Sequence, residues 1–431
     1  MLYDNMAVNA AGHLIFAGLD TVSLAERYGT PLYLTDEEKI RENLHVFKNA
    51  IANYFPCGSA VYYAGKAFCC RAMYRILKDE EVGADVVSAG EIYTAATSGF
   101  SMERCIFHGN NKTDSDIKYA LDSGIGYFAA DNEDELFCLD KMAGERGRVQ
   151  KILMRITPGI DPHTHKKITT GTYNSKFGFY YEGGQALKAA VTALSLKNIS
   201  LCGFHCHIGS QIFAAAPFVA AVEKMLAFIK EVKEKTGYTA EILDIGGGFG
   251  VKYTDGDMQP DIDAMLKNIA AVIKIRSEEM KIAAPKIFIE PGRSIAANAG
   301  LTLYTVGSVK KTPGGGTFVS VDGGMTDNPR YTLYGAPYTV IAAGKAEEKL
   351  SLKATVAGRC CESGDIIQEN VMLPEVCRGD ILAVAGTGAY NYSMASNYNR
   401  IPRPPVVMLY KGQDYTAIRR EEFKDICKCD I

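Results

Sequence analysis

At 431 residues, 47% of them hydrophobic and 23% charged, the chain is long enough for two domains with separate cores and has an ordinary globular composition. With 47 basic against 50 acidic residues the net charge is -3, which excludes a general attraction to nucleic acid or to an anionic membrane surface. The start, Met1-Leu2-Tyr3-Asp4-Asn5, carries neither a basic nor an apolar leader segment, and no apolar run approaches the ~20 residues of a membrane span, so a cytoplasmic home is expected.

Short strands are expected at 14–16 and 31–34. From residue 36 strand and helix then alternate regularly. A helix over 37–53 leads into a strand at 60–64. Strand 84–87 precedes helix 90–98, strand 105–108 precedes helix 114–123, and strand 127–130 precedes helix 133–146. Strand 152–156 is followed by a long loop, 159–175, and a helix near 186–193. Strand 201–207 precedes helix 217–235, strand 241–245 precedes helix 261–279, and strand 287–290 closes the series. Eight short apolar strands separated by amphipathic helices over about 250 residues predict parallel strands closed into a (β/α)8 barrel. Beyond residue 295 strands are expected at 301–310, 317–321, 350–357, 381–385 and 406–411, with little helical periodicity. The expected architecture is therefore an α/β barrel over 36–295 and an all-β domain formed by 1–35 with 296–431.

Twelve cysteines include the adjacent pairs Cys69-Cys70 and Cys360-Cys361 and several within apolar segments, which reads as small buried residues rather than a disulfide scaffold. Neither Cys427-Lys428-Cys429 nor His205-Cys206-His207 has the paired spacing of a structural zinc site, so no metal is expected.

Barrel enzymes keep their chemistry at the carboxyl ends of the strands, with phosphate favouring the loops after strands seven and eight. Lys66, in Tyr63-Ala64-Gly65-Lys66-Ala67, ends the first strand, where apolar surroundings would lower its pKa and free an amine to attack an aldehyde. Gly246-Gly247-Gly248 follows strand seven and exposes backbone N–H groups to an anion. Glu290-Pro291-Gly292-Arg293 follows strand eight. Arg293 suits a phosphate, and Glu290 suits either a protonated pyridine nitrogen or an ion pair with Arg293. A lysine, a glycine cradle and a Glu/Arg turn together are what holding pyridoxal phosphate as a Schiff base requires. His205 and His207 fall on one side of strand six by alternation. His207 is then the better placed to stack on a planar cofactor, and Ser210 to meet phosphate. In the β domain, Cys361 and Glu362 sit in the polar turn 358–365, where a thiol could serve as proton donor. Arg330 and Tyr334, four residues apart, suit a carboxylate. Gly388-Ala389-Tyr390 begins a ligand-type loop.

These motifs, with His108-Gly109-Asn110-Asn111-Lys112, Ser175-Lys176-Phe177-Gly178, His207-Ile208-Gly209-Ser210-Gln211 and Cys361-Glu362-Ser363-Gly364-Asp365, resemble the pyridoxal-phosphate decarboxylases of alanine-racemase-like fold, and among them the diaminopimelate decarboxylase family. The resemblance runs from about Pro31 to about Leu409. It implies that Lys66 forms the internal aldimine, with His207 on the ring and Glu290 on its nitrogen. Asp85, Ser210, Gly247, Gly248, Gly292, Arg293 and Tyr390 complete the cofactor site. Arg293, Arg330, Tyr334 and Tyr390 would meet the substrate, with Glu362 on its distal ammonium, and Cys361 of a second subunit would return a proton, in a homodimer with shared sites. Arg359-Cys360 departs from the family's Pro-x-Cys, and Asn174 stands where Thr is common. The implied reaction takes meso-2,6-diaminopimelate to L-lysine and carbon dioxide. The alternative is decarboxylation of another basic amino acid or a carboxyspermidine by the same chemistry, and a non-catalytic binding protein is the reading from a different class. Lys66 and Cys361, both present, speak against the last, and Arg330 with Tyr334 favours a substrate bearing a distal carboxylate.

Overall fold

The computed structural model describes residues 1–160 and 175–431 and divides into two compact units. One comprises Asn43–Gly250 with Gln259–Arg293. The other comprises Met1–Glu42, Val251–Met258 and Ser294–Ile431. The second unit thus takes in residues 36–42, 294–295 and a short excursion at 251–258 that the sequence reading placed in the barrel.

Among the described residues of the first unit, eight parallel strands close on themselves. They are Ala60–Ala64, Gly83–Val86, Cys105–Phe107, Tyr127–Ala130, Gln150–Thr157, Ile199–His205, Ile242–Asp244 and Lys286–Ile289. The ring closes where Phe288 and Ile289 pair with Ala60 and Val61. Alternate strand positions point inward, and Tyr62, Ile106, Ala129, Leu153, Ile242 and Phe288 form one buried layer there. Truncating such a side chain as Phe288 to Ala would cost about 3–5 kcal/mol, because nothing refills the void.

Helix starts follow the expected capping chemistry. Ser88 accepts from the Glu91 N–H, and Thr113 forms a reciprocal capping box with Asp116 at the head of helix Asp114–Ser123. Strand six ends at His205 rather than at residue 207. The alternation argument therefore does not extend to His207, which lies in the turn that follows.

The second unit is built on a sheet in which Gly300–Lys311 is central. It pairs with Leu32–Asp36, Ile381–Ala385 and Thr317–Val321. Leu352–Ala357 and Ile366–Leu373 extend one side, and Val406–Tyr410 with Gln413–Ile418 extends the other. Leu14, Phe16, Leu24, Leu32, Leu34, Leu301, Leu303, Val407 and Leu409 fill its core. Helices Thr21–Tyr28 and Arg330–Tyr334 were not anticipated. No helix among the described residues is long and apolar enough to cross a membrane.

Candidate active site

The carboxyl ends of the barrel strands are stitched together by backbone bonds between their loops. Glu290 N–H donates to Gly246 O, Ala64 N–H to Pro291 O, and Ile212 N–H to Gly248 O. This stitching sets Gly65-Lys66, Gly246-Gly247-Gly248 and Glu290-Pro291-Gly292-Arg293 side by side. It also explains the glycines. A Cβ on Gly247 would stand 2.0 Å from Glu290 O, and one on Gly248, at φ +107°, 2.3 Å from Gly209 O. The turn is consequently lined by backbone, with the Gly247 N–H donating to His207 Nδ1 at 3.3 Å. Arg293 Nε donates to Ser210 Oγ at 3.1 Å, so the two residues expected at a phosphate already meet.

Lys66 Nζ lies 3.7 Å from Asp85 Oδ2. The Lys66 side chain is 43% exposed, so it stands beside a carboxylate rather than desolvated among apolar groups as the sequence reading supposed. Asp85 is 1% exposed, and neither of its carboxylate oxygens has a hydrogen-bond partner. Burial raises its pKa against the opposing pull of His108 and Lys66.

Among protein groups Glu290 meets two histidines rather than Arg293, the ion-pair partner the sequence left open. Its Oε1 stands 2.6 Å from His108 Nε2 in an ion-pair contact off the hydrogen-bond line, and its Oε2 3.2 Å from His205 Nε2 in a hydrogen bond. Burial alone would raise the Glu290 carboxyl, but the two histidines outweigh it and hold the group well below the usual carboxylate range. Burial pushes His205 down to about 3, leaving a neutral ring. Asp244 is driven the other way, well above its ordinary value, by burial and by the Glu290 charge. Loss of water, with Lys66 and Arg155 nearby, holds His207 well below the ordinary histidine value. Burial thus favours the uncharged form of His205 and His207 while Glu290 stays ionised beside them.

The remaining residues lie in the β unit. Arg330 is 4% exposed, its guanidinium 4.4 Å from the Tyr253 ring centroid, and Nη1 donates to Tyr338 Oη at 3.2 Å. Asn391 Nδ2 also donates to Tyr338 Oη, which ties the adjacent Tyr390, at φ +62°, to the same cluster. Tyr334 is half-buried, one helical turn after Arg330. Cys361 and Glu362 are exposed on a loop whose backbone is pinned. Cys361 N–H donates to Asn399 Oδ1 at 2.8 Å and Cys360 N–H to the buried Asp365 at 2.7 Å.

Sequence reasoning assigned no role to His108, Asp244, Arg155, Tyr253 or Tyr338. His108 was open to discovery, since it lies at the carboxyl end of strand three just as Lys66 and Glu290 lie at the ends of theirs. Tyr253 and Tyr338 carried no local signal. Asn174 and most of the loop 159–175 lie outside the described residues.

A phosphorylated pyridoxal ring fits this donor set. Asp85 offers two buried oxygens without partners, Glu290 is an ionised carboxylate suited to a protonated ring nitrogen, and the glycine turn presents backbone beside Ser210 and Arg293. Comparison with known proteins agrees. Residues 37–297 match the pyridoxal binding domain of the pyridoxal-dependent decarboxylases. The diaminopimelate decarboxylase of Bacillus subtilis is 44% identical, covering 100% of this chain and 98% of its own length. That of Halalkalibacterium halodurans is 46% identical over 98% and 96%. The diaminopimelate decarboxylase of M. jannaschii in complex with L-lysine superposes with a TM-score of 0.90 at 35% identity, over 99% of this chain and 98% of that one. A lysine/ornithine decarboxylase from Vibrio vulnificus complexed with cadaverine gives 0.76 at 26%, over 91% and 98%. With identity this high along the whole chain, the protein belongs to the diaminopimelate decarboxylase family of pyridoxal-dependent decarboxylases.

Proposed function

We propose that the chain decarboxylates meso-2,6-diaminopimelate to L-lysine, the last step of lysine biosynthesis, as a cytoplasmic homodimer with shared active sites. One observation supports this most. Lys66, Asp85, His207, the glycine turn, Glu290 and Arg293 come from five strand ends of one barrel and gather at its carboxyl face.

Bound there, pyridoxal phosphate supplies an aldehyde for amine attachment and a ring that accepts the electron pair left by departing carbon dioxide. Lys66 is the tethering amine, and Asp85 stands beside it as counter-charge. Gly247, Gly248, Gly292, Ser210, Arg293 and Tyr390 hold the phosphate through backbone N–H groups, hydroxyls and one guanidinium. His207 would pack against the ring, and Glu290, kept ionised, would favour the protonated form of the ring nitrogen.

Arg330 and Tyr334, with Arg293 and Tyr390, grip the distal carboxylate. Glu362 meets the distal ammonium, and Cys361 of a second copy of the chain delivers the proton to the α-carbon. Ornithine lacks the distal carboxylate and would leave the buried Arg330 charge without its anion, which favours diaminopimelate.

The test is product analysis of the purified protein supplied with pyridoxal phosphate. Lysine and carbon dioxide are expected from meso-diaminopimelate, with little turnover of ornithine, arginine or carboxyspermidine. Turnover of one of those three in preference to diaminopimelate would overturn the assignment.

A further inference from the structure

The loop His108 to Lys112 contains a buried ammonium for which the proposed chemistry has no use. Lys112 Nζ donates to Gly109 O at 3.0 Å, to Ala129 O at 2.8 Å and to Glu135 Oε1 at 2.7 Å. Its side chain is 1% exposed and that of Glu135 4%. An ammonium has three protons, and these three acceptors use them all, so Lys112 has no donor left for a ligand. What it does is cross-tie the loop. It clasps the loop's own carbonyl at Gly109, the end of strand four at Ala129, and helix Glu133–Gly144 through Glu135. Glu135 Oε2 in turn accepts from the Asp131 N–H at 3.3 Å. At the other end of the loop, His108 N–H donates to Val86 O at 2.8 Å.

The residue held by these ties is His108. Its ring packs edge-on against His205, with centroids 4.8 Å apart and planes at 64°. The two Nε2 atoms sit on different oxygens of Glu290, at 2.6 Å and 3.2 Å. His205 Nδ1 is buried without a partner, so a neutral His205 donates from Nε2. A carboxylate has about four lone-pair sites. One imidazole on each oxygen prevents rotation of the group and leaves a site free for a third donor.

Resting on the function proposed above, we propose that His108 is a positioning residue that clamps the Glu290 carboxylate for the cofactor's ring nitrogen, with the buried Lys112–Glu135 pair as the anchor that places His108. His108 itself needs no contact with substrate. It acts by fixing where the Glu290 charge sits, much as an outer residue orients a metal ligand.

The experiment titrates pyridoxal phosphate into the cofactor-free protein and follows both affinity and the NMR shift of the cofactor's isotope-labelled ring nitrogen. In the wild type the signal of a protonated nitrogen is expected. His108→Phe is expected to weaken cofactor binding roughly tenfold, the loss of one close contact to a buried charged group, and to move the nitrogen signal toward the unprotonated form. His108→Gln keeps an N–H donor and should restore most of both. Lys112→Met combined with Glu135→Gln avoids stranding a buried charge, keeps both the His108 and Glu290 side chains, and removes only the tie that places His108. It should shift the signal in the same direction as His108→Phe. An unchanged nitrogen signal in His108→Phe overturns the proposal. Should that variant not fold, an unchanged signal in the Lys112/Glu135 pair does so. If the wild type itself binds no cofactor, the proposed function falls instead, so the two failures are distinguishable.

Discussion

Asp85 presents to Lys66 a carboxylate that is 1% exposed and has no hydrogen-bond partner on either oxygen, with Lys66 Nζ 3.7 Å away. A buried acid so poorly satisfied is a cost to the fold that a counter-charge at the site offsets. Asp85→Asn should therefore separate stability from function. The variant is expected to melt above the wild type at pH 8, with a gain of roughly 1–3 kcal/mol, and to lose at least about tenfold in decarboxylation as the charge beside Lys66 disappears. Calorimetry and steady-state rates on the same preparations check both. A variant that is less stable and fully active would show that Asp85 is simply a core residue.

Glu91 carries a pH signature. Burial, and after it the Asp85 charge, raises its carboxyl from 4.5 to about 7. The folded state thus retains a proton that the unfolded chain has lost over that interval, and stability is greatest below about 4.5 and falls as pH rises through 7. Glu91→Gln keeps the oxygen that accepts from Val87 N–H at 2.8 Å and removes the titration. The cofactor-free variant is expected to match the wild type near pH 4.5 and to exceed it at pH 8 by up to roughly 3 kcal/mol. Parallel melting curves at the two pH values would refute the assignment.

The barrel was legible because each of its strands is a short apolar run bounded by turn residues. Strands 60–64 and 127–130 were read to the residue, as were 317–321 and 381–385 in the second unit. Strand 366–373 was missed because Gln368, Glu369 and Asn370 break its alternation at a sheet edge, where pairing on one side suffices. The cap of helix Thr21–Tyr28 was visible as Asp20 before it and Gly29 after it, but a short polar helix among strands carries little periodicity. Strand six was placed two residues too far along the chain because Cys206 and Ile208 prolong its apolar run, and only inter-strand pairing reveals where it starts and ends. At the site, the strand-end rule finds Lys66 and Glu290. It cannot foresee that Glu290 binds two histidines rather than Arg293, since that depends on which side chains three strand ends turn toward one another.

Arg330 owes its placement to aromatic faces, with Tyr253 at 4.4 Å and Tyr338 at 5.3 Å from the guanidinium carbon. A lysine has no planar fork to stack there or to pair with a carboxylate through two bonds. Arg330→Lys is expected to raise KM for diaminopimelate roughly tenfold with a smaller change in kcat, because the grip acts on a group remote from the reacting carbon. Steady-state kinetics decides. A fall in kcat at constant KM would place Arg330 outside substrate binding.

The proposed sharing of sites has a direct consequence for mixed subunits. Cys361 sits exposed on a loop fastened by Asp365 and Asn399, in a unit separate from the one that carries Lys66. If a second copy supplies the thiol, Lys66→Ala and Cys361→Ala homodimers are each inactive, while a dimer of one with the other pairs an intact lysine with an intact thiol in one of its two sites. Random exchange makes half the dimers mixed, so mixing equal amounts should restore about a quarter of wild-type activity, and the recovery should follow the rate of subunit exchange. Complementation of this kind requires the two groups to come from different chains. Were lysine and thiol drawn from the same chain, no mixture would exceed the activity of its components, and the shared-site homodimer would have to be abandoned.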